Sequence, residues 1–282
     1  MRQILFFTIF FFSLLHSDAQ QCDDCSAISV MTYNIRNSNA KDSINSWEFR
    51  KENLAAQVLY HHPDIIGMQE ALPDQLHYLH SQLKQYNWYG VGRNKEKSNE
   101  YSPVFYRKDK FDILDSATFW LSETPKIPSS KGWDAALPRI CSWVKLKDKR
   151  TKQIFFFFNT HLDHVGKLAR KNGVELILKE IAKLSKNSPV IFTGDFNFNA
   201  TTENYKRITL QLKDAQFISN TTHYGPLGTS SGFWVNKPVK GKIDFIFVSR
   251  DIKVLQHAVL TDQMEGRYFS DHLPVITKII MD

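Results

Sequence analysis

Pro189-Val-Ile-Phe-Thr-Gly-Asp-Phe-Asn197 joins a short apolar run to a polar ending. An apolar run of this length, bounded by a turn signal, predicts a buried strand with the polar residues at its carboxyl end. In an extended chain Asp195 and Asn197 point to one side, while Phe196 points to the other side and into the core. Gly194 would let a ligand or another chain approach the backbone closely. The stretch therefore predicts a core strand that presents two polar side chains at the edge of a sheet.

Four further apolar runs adjoin polar residues in the same way. A random chain would seldom repeat this placement, so we expect the polar residues to meet in one site at the rim of the sheets. These residues are Thr32-Tyr33-Asn34, Met68-Gln69-Glu70, Asn159-Thr160-His161 and Ser270-Asp271-His272.

The side chains at this rim suit a cation and a phosphate group. The carboxylate of Asp195 is able to hold a cation or orient a water molecule, and the amide of Asn197 is able to contact a phosphoryl oxygen. Asn34 and Glu70 offer the oxygen ligands that Mg²⁺ prefers. The alternative for residues 194–197 alone is a turn closed by an Asx hydrogen bond.

His272 needs a carboxylate that orients its ring. Asp271 is adjacent to it, but neighbouring residues of a strand face opposite ways. Asp244 lies among the apolar residues of a separate predicted strand, and a buried carboxylate needs a partner. We therefore predict a pair between Asp244 and His272.

Helix-like and strand-like segments alternate along the chain. Apolar spacing predicts helices over residues 47–60, 75–83 and 167–184. The short runs 104–106 and 111–114 predict a hairpin, and residues 121–138, rich in Pro, Ser and Gly, predict a long surface loop. Helices between strands in both halves predict two packed sheets covered by helices, all in one domain over residues 27–282.

The N-terminus has the pattern of a signal peptide. A basic Arg2 precedes an apolar run over residues 4–15, and Ser17-Asp18-Ala19 offers a cleavage site, so residues 1–19 are expected to be removed and 20–26 to form a short lead. The protein is then expected to be secreted or periplasmic, a monomer, and without stable membrane insertion. An uncleaved membrane anchor and a lipid-modified Cys22 are the alternatives.

The 282-residue chain carries a formal net charge of +7, which processing after Ala19 would not change. A basic protein outside the cytoplasm is suited to nucleic acid, anionic lipid or other polyanions, although scattered lysines also fit an ordinary surface. Of the three cysteines, Cys22 and Cys25 are expected to form a small disulfide loop if oxidised, and Cys141 is expected to be a buried apolar residue.

The ordered motifs together resemble the endonuclease/exonuclease/phosphatase (DNase I-like) superfamily, in a secreted bacterial-type branch related to its deadenylase-like members. The similarity spans residues 27–281, and the order of the motifs is specific although no single motif is. The motifs are Tyr33-Asn34-Ile35-Arg36, Gln69-Glu70, Asn159-Thr160-His161-Leu162, Gly194-Asp195-Phe196-Asn197, Ile243-Asp244 and Ser270-Asp271-His272-Leu273-Pro274.

The resemblance implies an α/β fold, a four-layer α/β/β/α sandwich of two mainly antiparallel sheets flanked by helices. It implies Mg²⁺ or Mn²⁺ as cofactor and in-line attack of water at phosphorus. It also assigns a role to each site residue. Glu70 would bind the metal together with Asn34 and Asp271, and Asp195 would orient or deprotonate the water. Asn197 and His161 would contact the phosphate, and Asp244 would hold His272, whose ring would contact the scissile phosphate or act as acid or base.

Two arginines and two tryptophans are further candidates for contact with the substrate. Within that branch Arg93 and Arg139 are expected to contact the phosphate, although each is also a candidate structural arginine. Trp120 and Trp133 would stack on a base or sugar, or else pack in the core. Arg36 stands where abasic-site endonucleases tend to carry an acid.

The leading hypothesis is a phosphodiesterase or nuclease-like hydrolase with a phosphate-ester substrate, for which nucleic acid is a candidate. One alternative is a phosphomonoesterase that acts on a sugar, inositol or lipid headgroup. An alternative of another class is a non-catalytic binding protein on the same scaffold. The motif residues speak against the last, because all of them are intact.

Overall fold

The structure, a computed structural model, describes residues 26–94 and 99–281. The predicted signal peptide and the cysteine pair 22 and 25 lie outside the described residues. Among the described residues, no helix is long and apolar enough to cross a membrane.

The described strands build two six-stranded sheets and a small ribbon. In chain order the strands are β1 Ile28–Asn34, β2 Ile65–Gln69, β3 Tyr86–Tyr89, β4 Val104–Arg107, β5 Phe111–Trp120, β6 Ile140–Asp148, β7 Ile154–His161, β8 Val190–Asp195, β9 Lys213–Asp214, β10 Asp244–Val248, β11 Ile252–Val259, β12 Gln263–Met264, β13 Arg267–Tyr268 and β14 Val275–Met281. The first sheet has the order β11-β14-β1-β2-β4-β3, the second β5-β6-β7-β8-β10-β9, and β12 pairs with β13. Neighbouring strands are antiparallel except for β1 with β2 and β7 with β8.

Four α-helices are described, α1 Trp47–His61, α2 Pro73–Gln82, α3 Lys167–Ser185 and α4 Glu203–Thr209, with a 3-10 turn at Ser43–Asn45. The first three match the predicted helices to within two residues at each end. Helix α1 ends where His62 takes a left-handed conformation (φ 51°) directly before Pro63, which cannot continue a helix. Helix α3 starts against the loop over residues 121–138, because Asp134 accepts hydrogen bonds from the Leu168 and Ala169 amides.

The run Phe155-Phe156-Phe157-Phe158 in β7 shows how the layers arise. Phe155 and Phe157 lie in the apolar cluster between the two sheets, whereas Phe156 and Phe158 lie in the cluster under α3. A third cluster packs α1 and α2 on the outer face of the first sheet. Because successive residues of a strand face opposite ways, a strand that is apolar throughout is buried on both faces. The predicted four-layer α/β/β/α sandwich is confirmed.

The predicted hairpin over residues 104–114 is wrong. Strand β4 pairs with β2 and β3 in the first sheet, and β5 pairs with β6 in the second. The turn between them therefore carries the chain from one sheet to the other. Short apolar runs around a turn look alike in both cases, since partner choice depends on residues far away in the sequence.

Parallel pairing aligns the strand ends that carry the polar residues. Asn34 of β1 lies opposite Gln69 of β2, and His161 of β7 lies opposite Asp195 of β8. Strand β10 runs antiparallel to β8, so its first residue, Asp244, lies opposite Asp195. The carboxyl ends of four strands and the amino end of a fifth thus meet at one rim.

Gly194 permits the close approach of β7 at this rim. A Cβ atom at this position would lie 2.3 Å from the Thr160 carbonyl oxygen. Any larger residue would push β8 away from β7 and misplace Asp195. The close approach expected at this glycine is therefore made by a neighbouring strand of the same chain.

Candidate active site

The structure brings all ten predicted site residues to this rim. Eight of them line a cavity of about 280 Å³: Glu70, Arg93, Arg139, His161, Asp195, Asn197, Asp271 and His272. The other two, Asn34 and Asp244, are buried directly beneath them.

Asn34 joins the two halves of the site. Its side-chain nitrogen donates to Glu70 Oε1 at 3.1 Å and to Asp195 Oδ2 at 3.0 Å, which links the first sheet to the second. Its Oδ1 accepts from the Arg36 amide at 3.0 Å, which fixes the orientation of the group. In this arrangement Asn34 holds the two carboxylates and turns its oxygen away from them, so its role as a metal ligand stays a prediction.

Glu70 lies in the left-handed region at φ 62°, which is uncommon for a residue other than glycine and costs on the order of 1 kcal/mol. Its Oε2 accepts from the backbone and side-chain nitrogens of Asn37 at 3.1 and 3.0 Å. Burial alone would raise the pKa of Glu70, but the hydrogen bond from Asn34, the charge of His272 and the Asn37 amide lower it. Glu70 is therefore held as a carboxylate facing the cavity.

Asp244 and His272 form the predicted pair, with His272 Nδ1 2.9 Å from Asp244 Oδ2. Burial alone would lower the pKa of His272, but the carboxylates of Asp244 and Asp195 raise it well above its usual value. The opposite ring nitrogen, Nε2, lies 3.8 Å from Asp195 Oδ2 and faces the cavity. The pair therefore presents an imidazolium N–H to a substrate.

Asp195 is nearly fully buried among these groups. Burial and the negative charge of Asp244 raise its pKa to about 7. A carboxylate with a pKa near neutrality is suited to take a proton from water at physiological pH. Phe196 points away from the site, where its ring packs against Phe192, Phe245 and Phe247, as predicted.

Asp271 does not hold the His272 ring, which pairs with Asp244, as predicted. Its Oδ2 lies 3.5 Å from Arg36 Nη1, and Arg36 is itself held by a double hydrogen bond to Asp42. Burial raises the pKa of Asp271, and the nearby charge of Glu70 acts in the same direction. Asp271 and Glu70 thus bring two carboxylates to the same part of the cavity.

His161 and Asn197 lie beside Asp195, with His161 Nε2 3.5 Å from Asp195 Oδ2. Asn197 Nδ2 is 3.1 Å from His161 Nε2 and 2.9 Å from the Leu162 carbonyl oxygen. Burial and the charges of Arg139 and Arg93 lower the pKa of His161 well below its usual value. His161 is therefore neutral in this site, in contrast to His272.

Arg93 and Arg139 are both buried and both held by carboxylates. Arg93 Nη1 lies 2.8 Å from Glu100 Oε2, and Arg139 Nε lies 3.3 Å from Asp163 Oδ2. Trp120 is buried and donates from Nε1 to the Arg93 carbonyl oxygen, so it packs behind the site and does not stack on a ligand. Trp133 lies outside the cavity lining.

The donor set fits a hard divalent cation. Asp195, Asp244, Glu70 and Asp271 place four buried or largely buried carboxylates around one imidazole, and a cation would offset their mutual repulsion. Glu70 and Asp271 are the residues that would hold it. Asp195, Asp244 and His272 form a second possible set, with one ligand atom each within 4.8 Å of the others. A metal on that set would replace the Asp244–His272 hydrogen bond.

Five residues of the lining were not predicted as site residues: Arg36, Asn37, Glu100, Leu137 and His164. Asn37 lies three residues after Asn34, so the first motif could have been extended to include it. Glu100 and His164 are fixed by Arg93 and Arg139, through contacts that no local sequence pattern shows.

Comparison with known proteins supports this geometry. The Endonuclease/Exonuclease/phosphatase family matches residues 31–272. The chain is similar to the structure of a mannosyl-6-phosphatase from Bacteroides thetaiotaomicron, with 41% identity, a TM-score of 0.86, and coverage of 90% of this chain and 100% of that one.

Two curated relatives are similar over part of their length. Protein angel of Drosophila melanogaster is 28% identical over 61% of this chain and 53% of its own length. The Ccr4 3'-5'-exoribonuclease subunit of the CCR4-Not complex of Emericella nidulans is 29% identical over 56% of this chain and 28% of its own length. The family match covers all the rim motifs and most of both sheets, and the chain therefore belongs to the endonuclease/exonuclease/phosphatase family of phosphate-ester hydrolases.

Proposed function

We propose that the protein is a divalent-metal-dependent phosphomonoesterase that acts on a small, hydroxyl-rich substrate such as a sugar phosphate. The observation that carries the proposal is the cavity at the rim, which is small and lined almost wholly by charged and hydrogen-bonding groups. This favours the phosphomonoesterase alternative over the nuclease-like hypothesis drawn from the motifs.

The lining suits hydroxyl groups better than a nucleobase. Among the described residues that line the cavity there is no Phe, Tyr or Trp, and Leu137 is its one apolar side chain. Proteins that bind single-stranded nucleic acid usually stack bases on aromatic rings. Carboxylate, amide and guanidinium groups instead match the donors and acceptors of a sugar and its phosphate.

The comparisons point the same way. The mannosyl-6-phosphatase is similar over its whole length at 41% identity, whereas the Ccr4 subunit is similar over 28% of its length at 29% identity. We infer that a hexose 6-phosphate is a better first substrate than an RNA tail.

The residues divide the work of hydrolysis. Asp195 accepts a proton from the attacking water, which its raised pKa permits. The water oxygen bonds to phosphorus as the bond from phosphorus to the ester oxygen breaks, and that oxygen takes up a proton from solvent and leaves as a hydroxyl. His272, held by Asp244, donates a hydrogen bond from Nε2 to the phosphoryl group, and the guanidinium groups of Arg93 and Arg139 bind the remaining oxygens. A divalent cation held by Glu70 and Asp271 would neutralise charge that develops on the phosphate.

A substrate panel tests the proposal. With Mg²⁺ or Mn²⁺, we expect kcat/KM for hexose 6-phosphates and for p-nitrophenyl phosphate to exceed that for bis-p-nitrophenyl phosphate and for DNA or RNA oligonucleotides. EDTA should abolish turnover. A clear preference for a diester would overturn the proposal, and no turnover of any ester with either metal would favour the binding-protein alternative.

Asp195→Asn tests the site itself. It removes the proton acceptor, so we expect kcat to fall about a thousandfold. Asp112→Asn makes the same chemical change at an exposed position of β5 and should leave kcat unchanged. Equal activity of Asp195→Asn and the wild type would show that the site is assigned wrongly.

A phosphodiesterase or nuclease-like activity is the second candidate. It is favoured by the net charge of +7 and by the Ccr4 relative. Hydrolysis of a nucleic acid should fall steeply as salt is added, because binding releases counterions, whereas hydrolysis of a small substrate should change little. We further propose that the protein is exported by its N-terminal segment, and N-terminal sequencing of the exported protein would test cleavage after Ala19.

A further inference from the structure

The side-chain amide of Asn197 determines which nitrogen of His161 carries a hydrogen. Asn197 Nδ2 is 2.9 Å from the Leu162 carbonyl oxygen, and a carbonyl oxygen only accepts, so this atom is the NH₂ group. Its second hydrogen points to His161 Nε2 at 3.1 Å. In this contact, which is shorter than the 3.5 Å from His161 Nε2 to Asp195 Oδ2, the ring nitrogen accepts through its lone pair, and the hydrogen of the neutral ring lies on Nδ1.

His161 Nδ1 is buried and has no hydrogen-bond partner among the described residues. Arg93 Nε and Arg139 Nη1 are likewise buried without a hydrogen-bond partner among the described residues. The residues His161, Arg93 and Arg139 are only 8%, 7% and 5% exposed. A buried donor without a partner costs about 1–3 kcal/mol, so three of them close together need an explanation.

These three residues together line a small cavity of about 10 Å³ beside the main one, with Ser102 and Glu100 in its wall. A volume of this size accommodates one water molecule, and buried waters usually satisfy polar groups that lack other partners. A water there accepts from His161 and one arginine at a time, and donates to the Glu100 carboxylate or the Ser102 hydroxyl.

We propose that His161 is a positioning residue: it is protonated on Nδ1, donates to one buried water shared with Arg93 and Arg139, and orients Asn197 through the Nε2 lone pair. Both amide hydrogens of Asn197 are then in use. Its Oδ1, which accepts no hydrogen bond from the described residues, is the atom that it offers to an O–H group in the cavity. A direct contact from His161 Nε2 to a phosphoryl oxygen would require a hydrogen that this nitrogen does not carry.

The tautomer and the water are tested without substrate. A long-range ¹H–¹⁵N spectrum of the metal-free protein should show the His161 Nδ1 as N–H and Nε2 as the unprotonated nitrogen, with His161→Gln identifying the signals. A high-resolution crystal structure should show a water within hydrogen-bond distance of Nδ1. An Nε2–H or doubly protonated ring, or a cavity without an ordered water, would overturn the proposal.

The positioning role rests on the proposed function and is tested by two matched variants. His161→Gln places an amide oxygen where Nε2 lies, and should keep kcat within about threefold of wild type. His161→Asn reaches only the Nδ1 position, and should lower kcat about tenfold or more with little change in KM. An equal loss of kcat in both variants, or a higher KM with kcat retained, would overturn the positioning role and point to a direct phosphate contact. If no ester is hydrolysed by the wild type, the proposed function fails while the spectrum still decides the tautomer.

Discussion

His257 in β11 illustrates how one buried side chain couples stability to pH. Its Nδ1 lies 2.9 Å from Nδ1 of His223, whose Nε2 lies 3.0 Å from the Pro226 carbonyl oxygen. His223 Nε2 must therefore carry a hydrogen, and a neutral His223 accepts from His257 Nδ1–H. His257 Nε2 is buried and has no partner in the part of the chain that is described, so protonation there would leave a buried N–H unpaired.

The pH dependence of unfolding should reveal this residue. Burial, the charge of Lys242 and His223 lower the pKa of His257 to about 2. The unfolded chain takes up this proton near pH 6.5, so the folded state loses stability as the pH falls below that value, by about 1.4 kcal/mol per unit. Between pH 7 and pH 5 the contribution of His257 amounts to roughly 2 kcal/mol.

His257→Gln cannot titrate, so its disadvantage in urea denaturation relative to wild type should shrink by that amount from pH 7 to pH 5. His77→Gln, a change at an exposed position of α2, serves as control. A gap between His257→Gln and wild type that stays constant with pH would contradict the explanation.

At the scale of elements, α1 fixes two loops of the site through Arg50. This side chain is 4% exposed and donates to four backbone carbonyl oxygens, those of Ile35 and Arg36 after β1, Asn45, and Phe269 before Ser270. Its guanidinium lies over the rings of Trp47 and Phe233. One helix therefore holds together the loop that follows Asn34 and the loop that carries Asp271.

Arg50→Lys should separate these loops while keeping the charge. A lysine ammonium cannot reach four carbonyl groups in a plane, so buried acceptors are left unpaired and we expect a loss of about 2–3 kcal/mol in unfolding free energy. We also expect kcat to fall, because Asp271 and Glu70 move apart. Glu52→Ala, at an exposed position of the same helix, should change neither quantity. If the unfolding free energy falls as expected while kcat is unchanged, the loops keep their places without Arg50.

In the whole molecule, a buried polar network joins the two sheets beneath the rim. Gln69 Nε2 donates to Asn159 Oδ1 at 2.7 Å, and Asn159 Nδ2 donates to the Met68 and Pro103 carbonyl oxygens. A Cβ atom at Gly67 would lie 2.3 Å from Thr193 Oγ1, so the sheets touch here without room for a side chain. Gln69 and Asn159, recognised as motif residues, therefore act beneath the active site as the link between the sheets.

Asn159→Leu should break this link. It removes the acceptor of Gln69 Nε2 and Thr193 Oγ1 and the donor to the Met68 and Pro103 carbonyl oxygens, all in the core, which predicts a loss of about 2–4 kcal/mol in unfolding free energy. Chemical denaturation measures it, and Asn220→Ala, at an exposed position, is the control. A loss below about 0.5 kcal/mol, as at ordinary surface sites, would show that the network is not needed.

Local sequence patterns predicted the parts of this protein that depend on periodicity. The spacing of apolar residues predicted three helices, and the apolar run before Gly194 predicted β8 with Asp195 at its end. Asn197 lies two residues beyond the strand at φ 51°, and its amide donates to Asp195 Oδ1 at 3.0 Å, as in the Asx turn given as the alternative. Asp244 could be assigned to His272 because a buried acid needs a partner and a neighbour on the same strand faces away. The helices and β8 follow from the geometry of the chain within a few residues, whereas the pairing of Asp244 with His272 follows from the chemistry of a buried carboxylate.

Only the tertiary structure decided which segments meet. It placed β4 and β5 in different sheets, paired Arg93 with Glu100, and turned the amides of Asn34 and Asn197 so that particular atoms face the cavity. The choice of sheet and the orientation of the two amides depend on partners distant in the sequence, such as Asp195 for Asn34 and Leu162 for Asn197. The sequence alone therefore determined the layers and which residues lie at the rim. The packing of the two sheets determined the protonation, orientation and contacts of those rim residues.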